Sequence, residues 1–204
     1  PKTALCGHGA RTTKGSWGPE GRNYNTEPVR PQKIMTNVCA VSCGQNHAAA
    51  IKNDGSLWMW GDNQDGEVGY IGPNTNSEYP SSQFEAQPHK VMDNVACVSC
   101  GFNFTAVVKK DGSLWTFGRN NHGQLGNGKK DVNVYFQKNM PTKIMDGVRT
   151  ASCGDSHMAI LKNDGSLWTC GENRFGALGN GKWYLINMAR GDHIRRGTDV
   201  LTPA

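Results

Sequence analysis

The chain has 204 residues, 36% of them apolar, and a net charge of +5 from 22 Lys and Arg against 17 Asp and Glu. That apolar content supports a globular core, while 26 glycines without a triplet period exclude collagen and mark many tight turns. Basic and acidic residues are interspersed, pairs such as Lys129-Lys130 and Arg195-Arg196 build no run, and no stretch nears the roughly 20 apolar residues of a membrane helix, so neither nucleic acid nor membrane is expected as a partner.

Residues 1–36 begin without a Met and carry no apolar signal-peptide core in Pro1-Lys2-Thr3-Ala4-Leu5, so the chain is expected to be an excised or processed piece of a longer protein. Leu5-Cys6-Gly7 can be laid on Trp168-Thr169-Cys170-Gly171, which makes this segment the expected tail of a partial preceding unit. Three units follow, at 37–93, 94–146 and 147–204, the third with its end cut short. They repeat one another. Val41-Ser42-Cys43-Gly44 recurs as Val98-Ser99-Cys100-Gly101 and as Ala151-Ser152-Cys153-Gly154, and Asp-Gly-Ser-Leu-Trp recurs from Asp54, Asp111 and Asp164. The period is roughly 50 to 60 residues, the size of a propeller blade.

Within the first unit, Val38 to Cys43 is a β-rich run ending at Gly44. His47 to Lys52 and Ser56 to Trp60 flank Asn53-Asp54-Gly55, and an Asp-Gly between apolar runs predicts a tight hairpin because both turn residues tolerate positive φ. Lys33-Ile34-Met35, following a proline, supplies a short fourth strand, and it matches Lys90-Val91-Met92 and Lys143-Ile144-Met145 later in the chain. No segment has a helical period. The predicted fold is all-β: a single propeller segment of about three to four blades, each of four antiparallel strands. Gly44, Gly101 and Gly154, with Trp58, Trp115 and Trp168, recur in register and are read as structural. The glycines serve a turn with unusual geometry and the tryptophans fill the gap between sheets.

The pattern Ser-Cys-Gly-x-x-His-x-x-Ala, followed by Asp-Gly-Ser-Leu-Trp-x-x-Gly-x-Asn-x-x-Gly-x-Leu-Gly, resembles the repeat of the regulator of chromosome condensation family from Pro31 to about Gly181. The resemblance implies a seven-bladed ring, which at this period would take roughly 350 to 400 residues, so the chain holds about half of one. Half a ring leaves open edges that invite pairing, and homo-oligomers that complete the ring are one expectation. Glu67-Val68-Gly69 departs from the Gln124-Leu125-Gly126 form, and Phe104 stands where His47 and His157 stand. The family includes a plant ultraviolet photoreceptor built on stacked tryptophans and arginines, whose marking Trp-rich repeat has no counterpart here.

Several motifs suggest chemistry and fail on their context. Gly123 to Lys129 and Gly176 to Lys182 fit GxxxxGK, but Lys130 and Trp183 stand where a phosphate loop needs Ser or Thr, and no helix pattern follows. Cys97 and Cys100 have zinc-knuckle spacing, yet residues three apart on a strand point to opposite faces. Cys39 and Cys43 share a face at about 13 Å, too far for a disulfide. Cys43, Cys100 and Cys153 are read as buried core residues. The histidines assemble no triad with a serine or an acid, so no enzyme, metal or cofactor is expected. Asn103-Phe104-Thr105 is a glycosylation sequon of little weight.

The turn after the first strand and the loop after the third share a side of a meandering blade, and there the copies differ. The candidate partner face comprises Asn46, Phe102, Phe104, Arg119, His122, Asp155, His157, Arg174 and Phe175, extended by aromatic anchors Tyr135, Trp183 and Tyr184 from the inter-blade excursions. The expected function is a non-catalytic protein–protein interaction scaffold with a protein partner. The resemblance also implies alternatives: a guanine-nucleotide exchange regulator of a small GTPase, or a secreted bacterial inhibitor or surface-binding protein. The Lys-Asn-Asp-Gly-Ser-Leu-Trp phrasing is similar to bacterial repeat proteins, which puts a secreted or cell-surface location ahead of a cytoplasmic one.

Overall fold

A computed structural model of the chain describes Pro31 and residues 33–70, 84–131, 140–187 and 192–196, with 183–187 and 192–196 described as backbone. Every regular element among the described residues is a strand. They are β1 (Val38–Cys43), β2 (His47–Lys52), β3 (Leu57–Asp62), β4 (Phe84–Met92), β5 (Val95–Cys100), β6 (Phe104–Lys109) and β7 (Leu114–Gly118). There follow β8 (Thr142–Met145), β9 (Val148–Cys153), β10 (His157–Lys162), β11 (Leu167–Gly171), β12 (Trp183–Asn187) and β13 (Asp192–Arg196). β1 to β4 form one antiparallel meander, β5 to β8 a second, β9 to β11 a third, and β12 pairs with β13. The Lys90-Val91-Met92 segment pairs back onto β3, Leu57 opposite Met92 and Trp58 opposite Lys90. Lys33-Ile34-Met35, predicted as a strand, is irregular, because no third strand precedes it among the described residues.

Each β2–β3 type hairpin is tied by its own side chains. Gly55 sits at φ 83° with its N–H on Lys52 O at 2.8 Å, and Asp54 is not among the positive-φ residues. The turn therefore bends right-handed and closes on one left-handed glycine, where the Asp-Gly pair alone suggested two left-handed residues. Asp54 Oδ1 explains the difference: it accepts from Ser56 N–H at 2.9 Å and from the Ser56 hydroxyl at 2.6 Å, which fixes a three-residue loop. Ser56 Oγ in turn accepts from Trp58 Nε1–H at 2.9 Å, and Lys52 Nζ lies 4.4 Å from the Trp58 ring centre. The same constellation recurs at Asp111, Ser113 and Trp115 and at Asp164, Ser166 and Trp168.

The core lies between blades, and period-2 alternation divides it. Phe104, Ala106 and Val108 of β6 pack with Val148, Cys153, Met158, Ile160 and Cys170 of the third blade. Val107 of the same strand packs the other way, with Ala49, Ile51, Leu57 and Met59 of the first. Each fully buried aliphatic side chain there contributes about 1.5–3 kcal/mol. Polar bonds cross the same joints. Ser42 Oγ accepts from Cys100 N–H at 3.0 Å, and Ser99 Oγ from Cys153 N–H at 2.9 Å, which accounts for the repeated Ser-Cys pair.

The glycine after that pair is fixed by crowding. A Cβ on Gly101 would collide with the Phe104 ring and come within 2.8 Å of Gly154 O; Gly44 and Gly154 are equally closed by the rings of His47 and His157. Cys100 and Cys153 are buried, as expected, and burial pushes the Cys100 thiol up to about 12. Cys43 is exposed, contrary to expectation, because no described blade stands before β1 to supply the covering serine. Cys97 packs toward the third blade and Cys100 toward the first, which is the divergence that strand geometry dictates.

Candidate partner-binding face

The turns after β1, β5 and β9 are laced together by backbone. Gln45 N–H donates to Phe102 O at 3.3 Å and Phe102 N–H to Asp155 O at 3.2 Å, so one residue per blade stands in a row. All three are exposed: an amide, an aromatic ring and a carboxylate side by side on a shared frame. Gln45 completes this row, and Asn46, named as a candidate from sequence, is its exposed neighbour.

The other candidates separate. Phe104 leaves the face: its ring is wholly buried, filling the space over Gly101 that histidine rings fill in the other copies. His157 is half-buried in the same role. Arg119 and His122 are half-buried in the loop after β7, with Arg119 N–H on Asn103 O at 2.8 Å and His122 N–H on Gln124 Oε1 at 2.9 Å. Phe175 is 70% exposed in a left-handed conformation at φ 60°, and Arg174 Cζ lies 4.9 Å from its ring centre. Its repeat counterpart Asp65 accepts from Asn103 in the turn after β5, so at that position the loop lies against the turn of the following blade. Trp183 and Tyr184 begin β12, where their backbones pair with Arg196 and Arg195; their side chains, and all of Tyr135, lie outside the described residues.

The loops after β7 and β11 are built on one asparagine each. Asn120 Oδ1 accepts from Leu125 N–H at 3.1 Å while Nδ2 donates to Asn127 Oδ1 at 3.1 Å and to Lys129 O at 3.0 Å. Asn173 repeats this with Leu178, Asn180 and Lys182. The GxxxxGK segments are therefore turns whose last carbonyl is already engaged. The sequon is likewise closed: Thr105 is fully buried and Asn103 Nδ2 donates to Asp65 Oδ2 at 2.9 Å.

Sequence reasoning missed a buried polar seam between the first two blades. His47 Nε2 is 3.0 Å from Thr105 Oγ1, and Thr105 donates to Glu67 O at 2.8 Å. The hydroxyl proton is thus committed, so His47 is the donor, in its Nε2–H form. Burial lowers the His47 pKa from 6.5 to about 4. The available signal was repeat mismatch: Thr105 stands where Ala48 and Met158 stand, and Glu67 where Gln124 and Ala177 stand.

A model of the regulator of chromosome condensation (RCC1) repeat matches residues 54–108 and 111–161, more than half the chain, and a second model of the same repeat matches 38–67, 95–124 and 148–177. The chain belongs to the RCC1 repeat family. An RCC1 repeat running from residue 54 to 108 takes in β3 and β4 of one blade and β5 and β6 of the next, so each sequence repeat spans a joint. The human protein named probable E3 ubiquitin-protein ligase HERC6 is 32% identical over 190 residues, covering 86% of this chain and 18% of HERC6. Human WBSCR16 superposes with a TM-score of 0.65 at 19% identity, over 84% of this chain and 42% of that one. Prp20p from Saccharomyces cerevisiae superposes with 0.63 at 19% identity, over 85% and 40%. The fold is that of the RCC1 β-propellers, and the chain spans less than half the length of these RCC1-type relatives.

Proposed function

We propose that this chain is a protein-binding segment with no chemistry of its own, and that the row Gln45, Phe102 and Asp155 is central to its binding face. One observation carries the reading: a rigid, hydrogen-bonded backbone presents a different exposed side chain in each blade. A fixed frame with variable tips suits specific recognition, because little entropy is lost on docking. Prp20p, of like fold, is reported with binding properties to Gsp1p and histones, which makes a small GTPase and a histone the first probes.

Calorimetric titration against Gsp1p, and separately against core histones, tests the proposal. Binding to one of them, weakened at least about tenfold by Phe102→Ala with Asp155→Lys at unchanged melting temperature, supports it. Binding indifferent to both substitutions removes the turn row from the reading. Accelerated nucleotide release from Gsp1p on adding the chain would replace it with an exchange regulator.

Self-association is the second part of the proposal. Leu167 is 68% exposed where its counterparts Leu57 and Leu114 are wholly buried by the following blade, and Val41 is 64% exposed at the opposite end. A second copy laying its β1 face on the β11 face of the first would cover both. Light scattering over a concentration series reads this directly; a monomer throughout rejects it.

A further inference from the structure

We propose that Glu67 is held as the neutral acid in the seam between the first and second blades, and that loss of its proton loosens that joint. Glu67 is wholly buried. One carboxyl oxygen, Oε2, accepts from Asp65 N–H at 2.8 Å, and the other, Oε1, is buried with no hydrogen-bond partner among the described residues. The second blade carries Gln124 at this position, and there both amide atoms are used: Oε1 accepts from His122 N–H at 2.9 Å and Nε2 donates to Asn121 Oδ1 at 3.2 Å. A protonated carboxyl is the nearest acid analogue of that amide, since it has one accepting oxygen and one that carries a donor.

The surroundings oppose the ionised form. On its own loop the neighbours are the carboxylates Asp62 and Asp65, both of which disfavour a further negative charge. Across the joint, β6 offers the hydroxyl of Thr105, already donated to Glu67 O, and the turn before it offers Asn103, whose amide is spent on Asp65. At the end of β7 a Cβ on Gly118 would come within 3.1 Å of Glu67 Cα, and Arg119 follows it with a buried Nε that has no hydrogen-bond partner among the described residues. β2 contributes His47, which burial keeps neutral above about pH 4. Desolvation by burial is the largest influence; the backbone N–H groups of Glu67 and Asp65 pull the other way, the carboxylates of Asp62 and Asp65 add to the rise, and the net effect lifts the Glu67 pKa from 4.5 to about 7.

A raised acid contributes stability that is fully present below its unfolded value near 4.5 and lost as pH rises through about 7. His47 acts in the opposite sense over nearly the same range, so the difference between variant and wild type isolates Glu67 better than the wild-type profile alone. Glu67→Gln, the residue the second repeat itself carries, is the variant of choice. Urea unfolding from pH 4.5 to 8 is expected to find the two proteins alike at the acid end. The folding equilibrium should favour the variant increasingly toward pH 8, by about a hundredfold in all. A difference that does not change with pH overturns the proposal. Carbon-13 NMR of the Glu67 carboxyl in the wild-type chain gives a second reading, with a midpoint near 7 expected and one near the ordinary glutamate value overturning it.

Discussion

His47 and Phe104 occupy one repeat position, and both are there to roof a glycine. The histidine adds a hydrogen bond across the joint, to Thr105, at the cost of a ring nitrogen, Nδ1, that is buried without a partner among the described residues. Burial disfavours the charged imidazolium, which lowers the His47 pKa to about 4 and leaves that nitrogen unprotonated at neutral pH. The stability this confers is complete above pH 6.5 and lost as pH falls through about 4. His47→Phe should therefore lose less stability than wild type on acidification over that window, by about 2–3 kcal/mol, measured as the difference between urea midpoints at pH 7 and pH 4. Equal acid losses in the two proteins would show that His47 is not the group responsible.

At the scale of the element, the hairpin is the unit the chain copies most faithfully. Asp, Ser and Trp form a relay in each copy: carboxylate to hydroxyl to indole N–H, with the two bonds at the same lengths throughout. Hydrogen bonding by the serine side chain and backbone lowers the pKa of Asp54, Asp111 and Asp164. Surroundings differ, however. Ser113 is 2% exposed, whereas Ser166 is only half-buried at the end of the described stack. Ser113→Ala should cost about 1–3 kcal/mol because it strands an indole donor beside the core, and Ser166→Ala about 1 kcal/mol less because water can replace the hydroxyl. Thermal melts of the two variants make the comparison.

Across the described residues, the buried apolar core lies at the joints between sheets. Leu114 is wholly buried under the third blade, while Leu167, identical in sequence context, has no described blade over it. Leu114→Ala should cost about 2–5 kcal/mol and Leu167→Ala under about 1 kcal/mol in the monomeric chain, by denaturant unfolding. A large cost at Leu167 would mean that its face is covered in solution. The contrast also explains why the chain is best understood as a stack whose end faces carry the same chemistry as its interior joints.

Much was determined by sequence alone. The repeated Asp-Gly-Ser-Leu-Trp and Ser-Cys-Gly segments specified strands, hairpins, period and family, because turn chemistry and alternation are local and recur in register. What they could not specify is which neighbour each side chain meets. Phe104 read as a variable tip and proved to be core, since its role depends on a glycine and a carbonyl brought together from two blades. Asp-Gly located the hairpin, but Asp54 takes Ser56 as its partner in place of a left-handed backbone, a choice the pair of residues alone does not show. The row Gln45, Phe102 and Asp155, and the seam of His47, Thr105 and Glu67, exist only once blades stand side by side. Contacts between residues some 55 positions apart carry no local signature, and tertiary packing alone decides them.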